Sequence, residues 1–281
     1  MKFILVLALF AYYAESLISI DNWSGTVIHN IKHEPEVLKR LRLPYQLAID
    51  YNTNYLFFSY SKDKKDKIYE SAYINLKTNE FGIIHGITEG FANAVDEHGN
   101  VVYLGGSDGI YQFDYETKVA TRLNDTDHSI GQLFFKKDLY YTSYPENEVY
   151  IIKNNQPHRV PELIGTNGKF IAVDNFDNIY FCNSLGLFVH KKITDNTSFV
   201  GNYNDVNGFT HDINGALFFS TPDGIYYIND NTQEVEKIAS FDSLYGIAIE
   251  ADGAIIYASE HGLVRLKPTN IYCFSNETKN L

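Results

Sequence analysis

The chain has 281 residues, and its 23 Lys and Arg against 35 Asp and Glu give a formal net charge of −12. Such an acidic surface repels nucleic-acid phosphates and anionic membranes, so we expect neither as a partner. Two cysteines are too few for a disulfide-rich scaffold or a Cys-based zinc site. The core must therefore hold the fold.

The first 19 residues, MKFILVLALFAYYAESLIS, are typical of a signal peptide. Ala14 and Ser16 suit the two positions that signal peptidase recognises, and the apolar run is shorter than the roughly 20 residues of a membrane span. We expect a secreted, extracellular protein whose residues 20–281 form a single domain. Four sequons are candidate glycosylation sites that agree with this location: Asn22, Asn124, Asn196 and Asn276.

A repeat of about 40 residues runs through the sequence. Its clearest copies are YQLAID (45–50), FANAVD (91–96), FIAVD (170–174) and YGIAIE (245–250), with weaker copies at 130–138 and 206–215. Each copy is followed by a turn and a second run of β-branched and aromatic residues. A third run comes next, usually after a glycine turn. In five of the six copies, a more polar fourth run ends the repeat. Four antiparallel strands in each repeat predict an all-β, six-bladed β-propeller.

The sixth copy stops after its third strand, because residues 268–281 are polar and rich in turn formers. Residues 34–43 precede the first copy and resemble the other fourth strands. We therefore predict that this N-terminal strand completes the last blade and closes the ring, which leaves no open edge. The insertion SKDKKDK (61–67) is expected to be a solvated loop.

Acidic residues end four of the inner strands: Asp50, Asp96, Asp174 and Glu250. A residue needed once for chemistry appears once, whereas a residue that caps a turn recurs in each blade. A structural role is therefore predicted for all four, and a turn role for His211 at the equivalent position. Cys182, within the strand-like run IYFC, is expected to be a small buried hydrophobe, with a bridge to Cys273 as the alternative.

In a propeller the first strand of each blade lines the central channel, so residues near the starts of these strands converge at one mouth. The predicted ligand-binding residues are Tyr45, Gln46, Phe91, Asn93, Gln132, Tyr144, Lys169, Asn207 and Tyr245. Aromatic and amide side chains suit a flat conjugated ligand with a hydrogen-bonding edge. Core packing is the alternative for any single aromatic residue, while amides at these positions are more informative.

No catalytic signature is present: the sequence has no GxSxG, HExxH, P-loop or dinucleotide-binding motif. One enzymatic alternative is a hydrolase whose calcium or zinc ion is held by Asn93, Asp108 and Asn207. Such an ion normally needs at least two carboxylates, which these positions do not supply. We therefore expect a binding protein without metal or cofactor. A protein-binding propeller is a third possibility.

Several stretches resemble the ommochrome-binding proteins of insect haemolymph: PYQLAIDYNTNYLFFSY (44–60), SAYINLKTNEFG (71–82), NVVYLGGSDGIYQFDYETKVAT (100–121) and GLVRLKP (262–268). The resemblance covers nearly all of the chain after residue 19. It implies a haemolymph carrier of ommochromes, flat tryptophan-derived pigments with acidic groups, which Lys169 could pair. The blades more remotely resemble those of gluconolactonase and regucalcin, whose metal-binding acids have no clear match in this sequence.

Overall fold

The computed structural model describes residues 26–28, 30–62, 68–96, 98–123 and 126–273. The predicted signal peptide, three of the sequons (Asn22, Asn124 and Asn276) and residues 63–67 of the charged insertion lie outside the described residues. Asn196 lies within them and is exposed. Within the described ranges, no helix is long and apolar enough to cross a membrane.

The first three blades each contain four consecutive antiparallel strands. Blade 1 follows two N-terminal strands, β1 (Thr26–Ile28) and β2 (Ile31–Arg40), and consists of β3 (Tyr45–Asp50), β4 (Tyr55–Ser61), β5 (Tyr69–Asn75) and β6 (Phe81–Ile83). Blade 2 consists of β7 (Ala92–Asp96), β8 (Val101–Gly106), β9 (Gly109–Phe113) and β10 (Ala120–Arg122). Blade 3 consists of β11 (Ser129–Lys136), β12 (Asp138–Tyr144), β13 (Val149–Lys153) and β14 (Gln156–Arg159).

A single 3-10 turn, Pro161–Leu163, leads from blade 3 into blade 4. Blade 4 consists of β15 (Phe170–Val173), β16 (Ile179–Asn183), β17 (Gly186–Lys191) and β18 (Asn196–Gly201). Blade 5 consists of β19 (Gly208–His211), β20 (Leu217–Thr221), β21 (Gly224–Ile228) and β22 (Val235–Ser240). Blade 6 begins with β23 (Gly246–Ile249), β24 (Ile255–Ser259) and β25 (Gly262–Tyr272).

The N-terminal strand closes the ring, which confirms the predicted six-bladed propeller. Strand β2 pairs antiparallel with β25, and β1 adds a fifth strand outside β2. Strand β25 continues past Pro268 into the segment expected to be a tail. It does so because β2 supplies hydrogen-bond partners: the Thr269 hydroxyl donates to the Lys32 carbonyl at 2.7 Å, and the Cys273 amide donates to the Asn30 carbonyl at 2.7 Å.

The core forms a ring of apolar clusters between neighbouring blades. Phe57 of blade 1 packs with Leu104 and Phe113 of blade 2, and Ile225 of blade 5 packs with Ile247 of blade 6. Each inner strand also packs against the inner strand of the next blade, and β23 packs against β3. This arrangement places the starts of all six inner strands around one mouth.

The recurring acids cap the turns that follow the inner strands in three blades. Asp50 accepts from the Asn52 amide, Asp96 from the His98 and Gly99 amides, and Asp174 from the Phe176 and Asn178 amides. In blade 5 the cap is Asp212, one residue after His211, and it accepts from the Asn214 and Ala216 amides. The capping residue there is thus one position later than the repeat predicted.

In blade 6, Glu250 has a different function from the other acids. It binds Arg265 through two hydrogen bonds, at 2.5 and 2.8 Å, and both side chains are largely buried, with exposed fractions of 16% and 14%. Arg265 also donates to Glu36 of β2 at 3.2 Å and to the Leu76 carbonyl of blade 1 at 3.2 Å. This one guanidinium therefore joins the N-terminal strand, blade 6 and blade 1.

Both cysteines are free. Cys182 lies on β16 of blade 4 and is 1% exposed, which confirms that it is a small buried hydrophobe. The alternative bridge to Cys273 is wrong, because Cys273 follows β25 on blade 6.

Candidate ligand-binding site

A funnel with a volume of about 550 Å³ opens where the inner strands begin, a size typical of ligand pockets. Six of the nine predicted residues line it: Tyr45, Gln46, Phe91, Tyr144, Lys169 and Asn207. Asn93 and Gln132 lie below its floor, and Tyr245 stands behind Tyr45. The predicted mouth and the observed cavity therefore coincide in position.

One side of the funnel is a wall of aromatic rings. The ring of Tyr45 lies 5.8 Å from Tyr69, 6.1 Å from Phe91 and 5.1 Å from Tyr245, measured between centroids. Tyr69 and Phe91 meet edge to face at 4.9 Å. Sequence reasoning missed Tyr69, which begins the third strand of blade 1, directly after the charged insertion. These contacts fix the rings in place before any ligand arrives.

The wall also carries hydroxyl groups that the protein does not use. Burial, together with the neighbouring phenols of Tyr69 and Tyr245, raises the pKa of Tyr45 to about 12, and burial raises the pKa of Tyr69 as well. The hydroxyls of Tyr45 and Tyr69 therefore stay protonated at neutral pH. Among the described residues, none accepts a hydrogen bond from the hydroxyl of Tyr45, Tyr69 or Tyr245. The wall can thus stack a ring and donate to its edge.

Gln46 lines the funnel, and Asn93 lies directly beneath it. Asn93 donates from Nδ2 to the Gln46 carbonyl at 2.8 Å, which ties blade 2 to blade 1. Gln46 has φ 53°, a left-handed conformation that is uncommon for a residue with a side chain. Within the described part of the chain, Gln46 Nε2 and Asn93 Oδ1 are buried and have no hydrogen-bond partner. Such atoms are rare and often mark functional sites.

Two further predicted amides connect neighbouring blades. Gln132 forms two hydrogen bonds with Ile171 of blade 4, while Asn207 donates from Nδ2 to the Leu244 carbonyl of blade 6 at 2.5 Å. Asn207 still lines the funnel, whereas Gln132 is 1% exposed beneath it. Amides at inner-strand starts thus hold blades together in pairs.

The charged groups of the funnel lie at its rim. Lys169 is exposed, and its Nζ lies 5.3 Å from the ring centroid of Phe170. Glu89, two blades away from Lys169, also lines the funnel. Tyr144, 64% exposed, stands at the entrance between them on blade 3. A ligand entering the funnel therefore passes one cation, one carboxylate and an exposed ring before it reaches the wall.

The residues considered for a metal ion are not brought together. Only Asn207 lines the funnel, while Asn93 lies below it and Asp108 accepts a hydrogen bond from the Tyr111 hydroxyl at 2.8 Å. Throughout the described ranges, no group of three or more His, Cys, Asp or Glu side chains is arranged to hold a metal ion. This donor set does not fit a divalent ion of the kind expected in a propeller hydrolase.

The fold and the funnel define a six-bladed β-propeller with a ligand-sized pocket at one mouth. Solved structures share this fold: a putative gluconolactonase aligns with TM-score 0.67 at 9% identity, over 88% of this chain and 98% of that chain. A gluconolactonase of Xanthomonas campestris aligns with TM-score 0.65 at 10% identity, over 87% of this chain and 95% of that chain. At these identities the likeness shows the fold alone.

No protein-family profile matches the sequence. The ommochrome-binding protein of Manduca sexta is 35% identical over 272 residues, which span 94% of this chain and 98% of the relative. The chain therefore belongs to the ommochrome-binding protein family, and this similarity supports a binding protein.

Proposed function

We propose that the protein is a secreted carrier that binds a flat, conjugated ommochrome pigment in the funnel. The observation that carries this proposal is the aromatic wall inside a cavity of about 550 Å³. Tyr45, Tyr69 and Phe91 present ring surface there, and the two tyrosines also present unused hydroxyls. Lys169 at the rim suits the acidic groups of such a pigment. The named relative of Manduca sexta supports the same class of ligand.

Visible absorption spectroscopy tests the proposal. The purified protein is titrated with an ommatin, and we expect a saturable change in the pigment's spectrum at micromolar concentration or below. Tyrosine emission falls in parallel, because a conjugated ligand against the wall quenches it. Phe176→Ala, at an exposed turn on the opposite side of blade 4, is the matched control and should bind as the unchanged protein does. Absence of any spectral change would refute the proposal.

The proposed carrier is not an enzyme. The funnel's polar groups are phenols, amides, the hydroxyls of Ser107 and Ser129, one lysine and one exposed carboxylate. Among the described residues, no basic side chain is hydrogen-bonded to either serine; Ser107 donates to the Thr88 carbonyl instead. Pigment binding should therefore be unaffected by a chelator, and calcium or zinc should not raise the unfolding temperature. Lactone or ester hydrolysis that a chelator abolishes would favour the metal-dependent hydrolase instead.

Export is part of the same proposal. Insect cells that express the whole chain should release the protein without residues 1–19, which N-terminal sequencing of the product measures. Asn196 is exposed at the start of β18 and accessible to a glycan. Enzymatic deglycosylation should lower the mass of the secreted protein, and Asn196→Gln should remove part of that difference. Retention in the cell with residues 1–19 intact would contradict secretion.

A further inference from the structure

The funnel carries two opposite charges that the protein leaves unpaired. Lys169 precedes β15 of blade 4, and Glu89 precedes β7 of blade 2. Both side chains are exposed, and neither forms an ion pair with any described residue. Lys62 and Glu70 of blade 1, in contrast, pair with each other at 2.8 Å. The charges of Lys62 and Glu70 are thus paired with each other, whereas those of Lys169 and Glu89 are not paired with any described residue.

Lys169 and Glu89 face the same cavity from two different blades. They form no ion pair with each other across the cavity of about 550 Å³. A ligand that lies between them can contact each charge separately.

The backbone holds Glu89 in an unusual conformation. Its φ is 47°, in the left-handed region that is unfavourable for a side chain of this size. The turn around it is fixed, since the Ser107 amide donates to the Thr88 carbonyl at 2.9 Å. At the next residue, a Cβ on Gly90 would lie 2.2 Å from Ser71 Oγ, so this segment packs closely on blade 1. Glu89 therefore stands on a rigid turn beside the funnel.

We infer that the funnel selects aromatic ligands that carry both a carboxylate and an amino group. The aromatic part lies against Tyr45 and Tyr69, the carboxylate pairs with Lys169, and the ammonium group pairs with Glu89. An α-amino acid attached to a flat ring is the simplest ligand of this class. The inference rests on the proposed function, because it uses the same funnel and the same wall.

Four probes with one indole ring separate the contributions of the charges. Tryptophan has both charged groups, indole-3-propionate only the acid, tryptamine only the amine, and 3-methylindole neither. Ligand-observed NMR measures their dissociation constants on the full protein, up to the millimolar range. We expect tryptophan to bind tightest, with about a two- to fivefold gain for each favourable charge, as is usual for exposed ion pairs.

Two variants assign each charge to its residue. Glu89→Gln should weaken tryptophan and tryptamine by about two- to fivefold and leave indole-3-propionate unchanged or tighter. Lys169→Met should weaken tryptophan and indole-3-propionate, and leave tryptamine unchanged or tighter. Glu116→Gln and Lys192→Met, at exposed positions outside the funnel lining, are charge-matched controls and should change none of the four constants. Damage to the fold cannot produce opposite changes for two probes.

The outcomes separate this inference from the proposed function. Equal binding of tryptophan and 3-methylindole, or equal losses for all probes in a variant, would overturn the inference. If an ommatin binds and tryptophan does not, the inference also fails while the carrier function stands. If neither an ommatin nor any indole binds, the proposed function itself fails.

Discussion

Both polar atoms of the Gln132 carboxamide, on β11, form hydrogen bonds with the backbone of Ile171 on β15. Nε2 donates to the Ile171 carbonyl at 2.9 Å, and Oε1 accepts from the Ile171 amide at 2.7 Å. The side chain thus bonds one backbone amide and one backbone carbonyl, as a neighbouring strand would, and joins blade 3 to blade 4. This link fixes the inner strand of blade 3 against that of blade 4 beneath the funnel.

Replacement of Gln132 by Ala should lower the free energy of unfolding by about 1–3 kcal/mol, because it leaves both groups of Ile171 buried without partners. Urea denaturation measures the loss. Gln112→Ala, at an exposed position on β9, is the control and should cost less than about 0.5 kcal/mol. Ligand affinity should hardly change in either variant. A tenfold loss of affinity at unchanged stability would instead place Gln132 in contact with the ligand.

Tyr45 should contribute to binding in two separable ways. Tyr45→Phe removes only the hydroxyl and should weaken an ommatin by about 1 kcal/mol, the usual value of one hydrogen bond. Tyr45→Ala also removes the ring that touches Tyr69, Phe91 and Tyr245, and should cost about 2–3 kcal/mol of binding free energy. Spectroscopic titration measures both values. Equal affinities for the two variants would show that the ring does not touch the ligand.

Arg265 should be critical for ring closure. Arg265→Met leaves Glu250 largely buried without its cation, and about 3 kcal/mol of stability should be lost. The double variant Arg265→Met with Glu250→Gln should recover much of this loss, because no uncompensated charge remains. Lys267→Met removes an exposed partner of Glu36 and should cost less than about 1 kcal/mol. Chemical denaturation of the three variants checks this order, and an equal loss for Lys267→Met would contradict it.

Asp230 should oppose folding at neutral pH. Burial raises the pKa of this carboxyl group, against the hydrogen bond from Asn175, so the folded protein holds its proton more tightly than the unfolded chain does. The free energy of unfolding therefore falls as the pH rises from the unfolded value of about 3.9 through the raised pKa. Asp230→Asn should stabilise the protein at pH 7 and have little effect at pH 3.

Denaturation curves at the two pH values measure this difference. Asp205→Asn, at an exposed loop position, is the control and should produce the same change at both. If Asp230→Asn destabilises the protein at pH 7, the ionised carboxylate is stabilising and the predicted sign is wrong.

The two thiols should react at very different rates. Burial raises the pKa of Cys182 to about 12, so little thiolate exists at pH 8, and the side chain is 1% exposed. Iodoacetamide should therefore alkylate Cys273 and leave Cys182 unmodified in the folded protein, whereas both should react in urea. Peptide mass spectrometry identifies the modified residue. Resistance of both thiols in urea without reductant would indicate a disulfide.

Repetition made the fold predictable. Six similar strands about 40 residues apart place their first residues around one axis, so the position of the funnel followed once the copies were aligned. Tyr69 could not be found in this way, because the charged insertion before it disrupts the repeat of blade 1. Residues 268–272 look like a polar tail, yet they continue β25 because β2 pairs with Pro268 and Tyr272 and accepts a hydrogen bond from the Thr269 hydroxyl.

The amides show a different limit of sequence reasoning. Gln132 and Asn207 occupy corresponding places, and either residue type can bind a ligand or a neighbouring strand. Only the structure shows that the carboxamide of Gln132 and the backbone of Ile171 satisfy each other, while Asn207 keeps one face towards the funnel. Whether such an amide bonds a neighbouring strand or a ligand depends on the distance between blades, which the local sequence does not reveal.

Strand order also governs when this protein can finish folding on the ribosome. Strand β2 is synthesised before all of the blade strands, yet its partner, β25, is the last described strand. A nascent chain that ends after blade 5 therefore forms an open ring of blades, and β2 (Ile31–Arg40) has no partner strand. Truncation before Gly262 removes β25, the partner of β2, so a shortened chain should remain prone to aggregation through its unpaired strand edges.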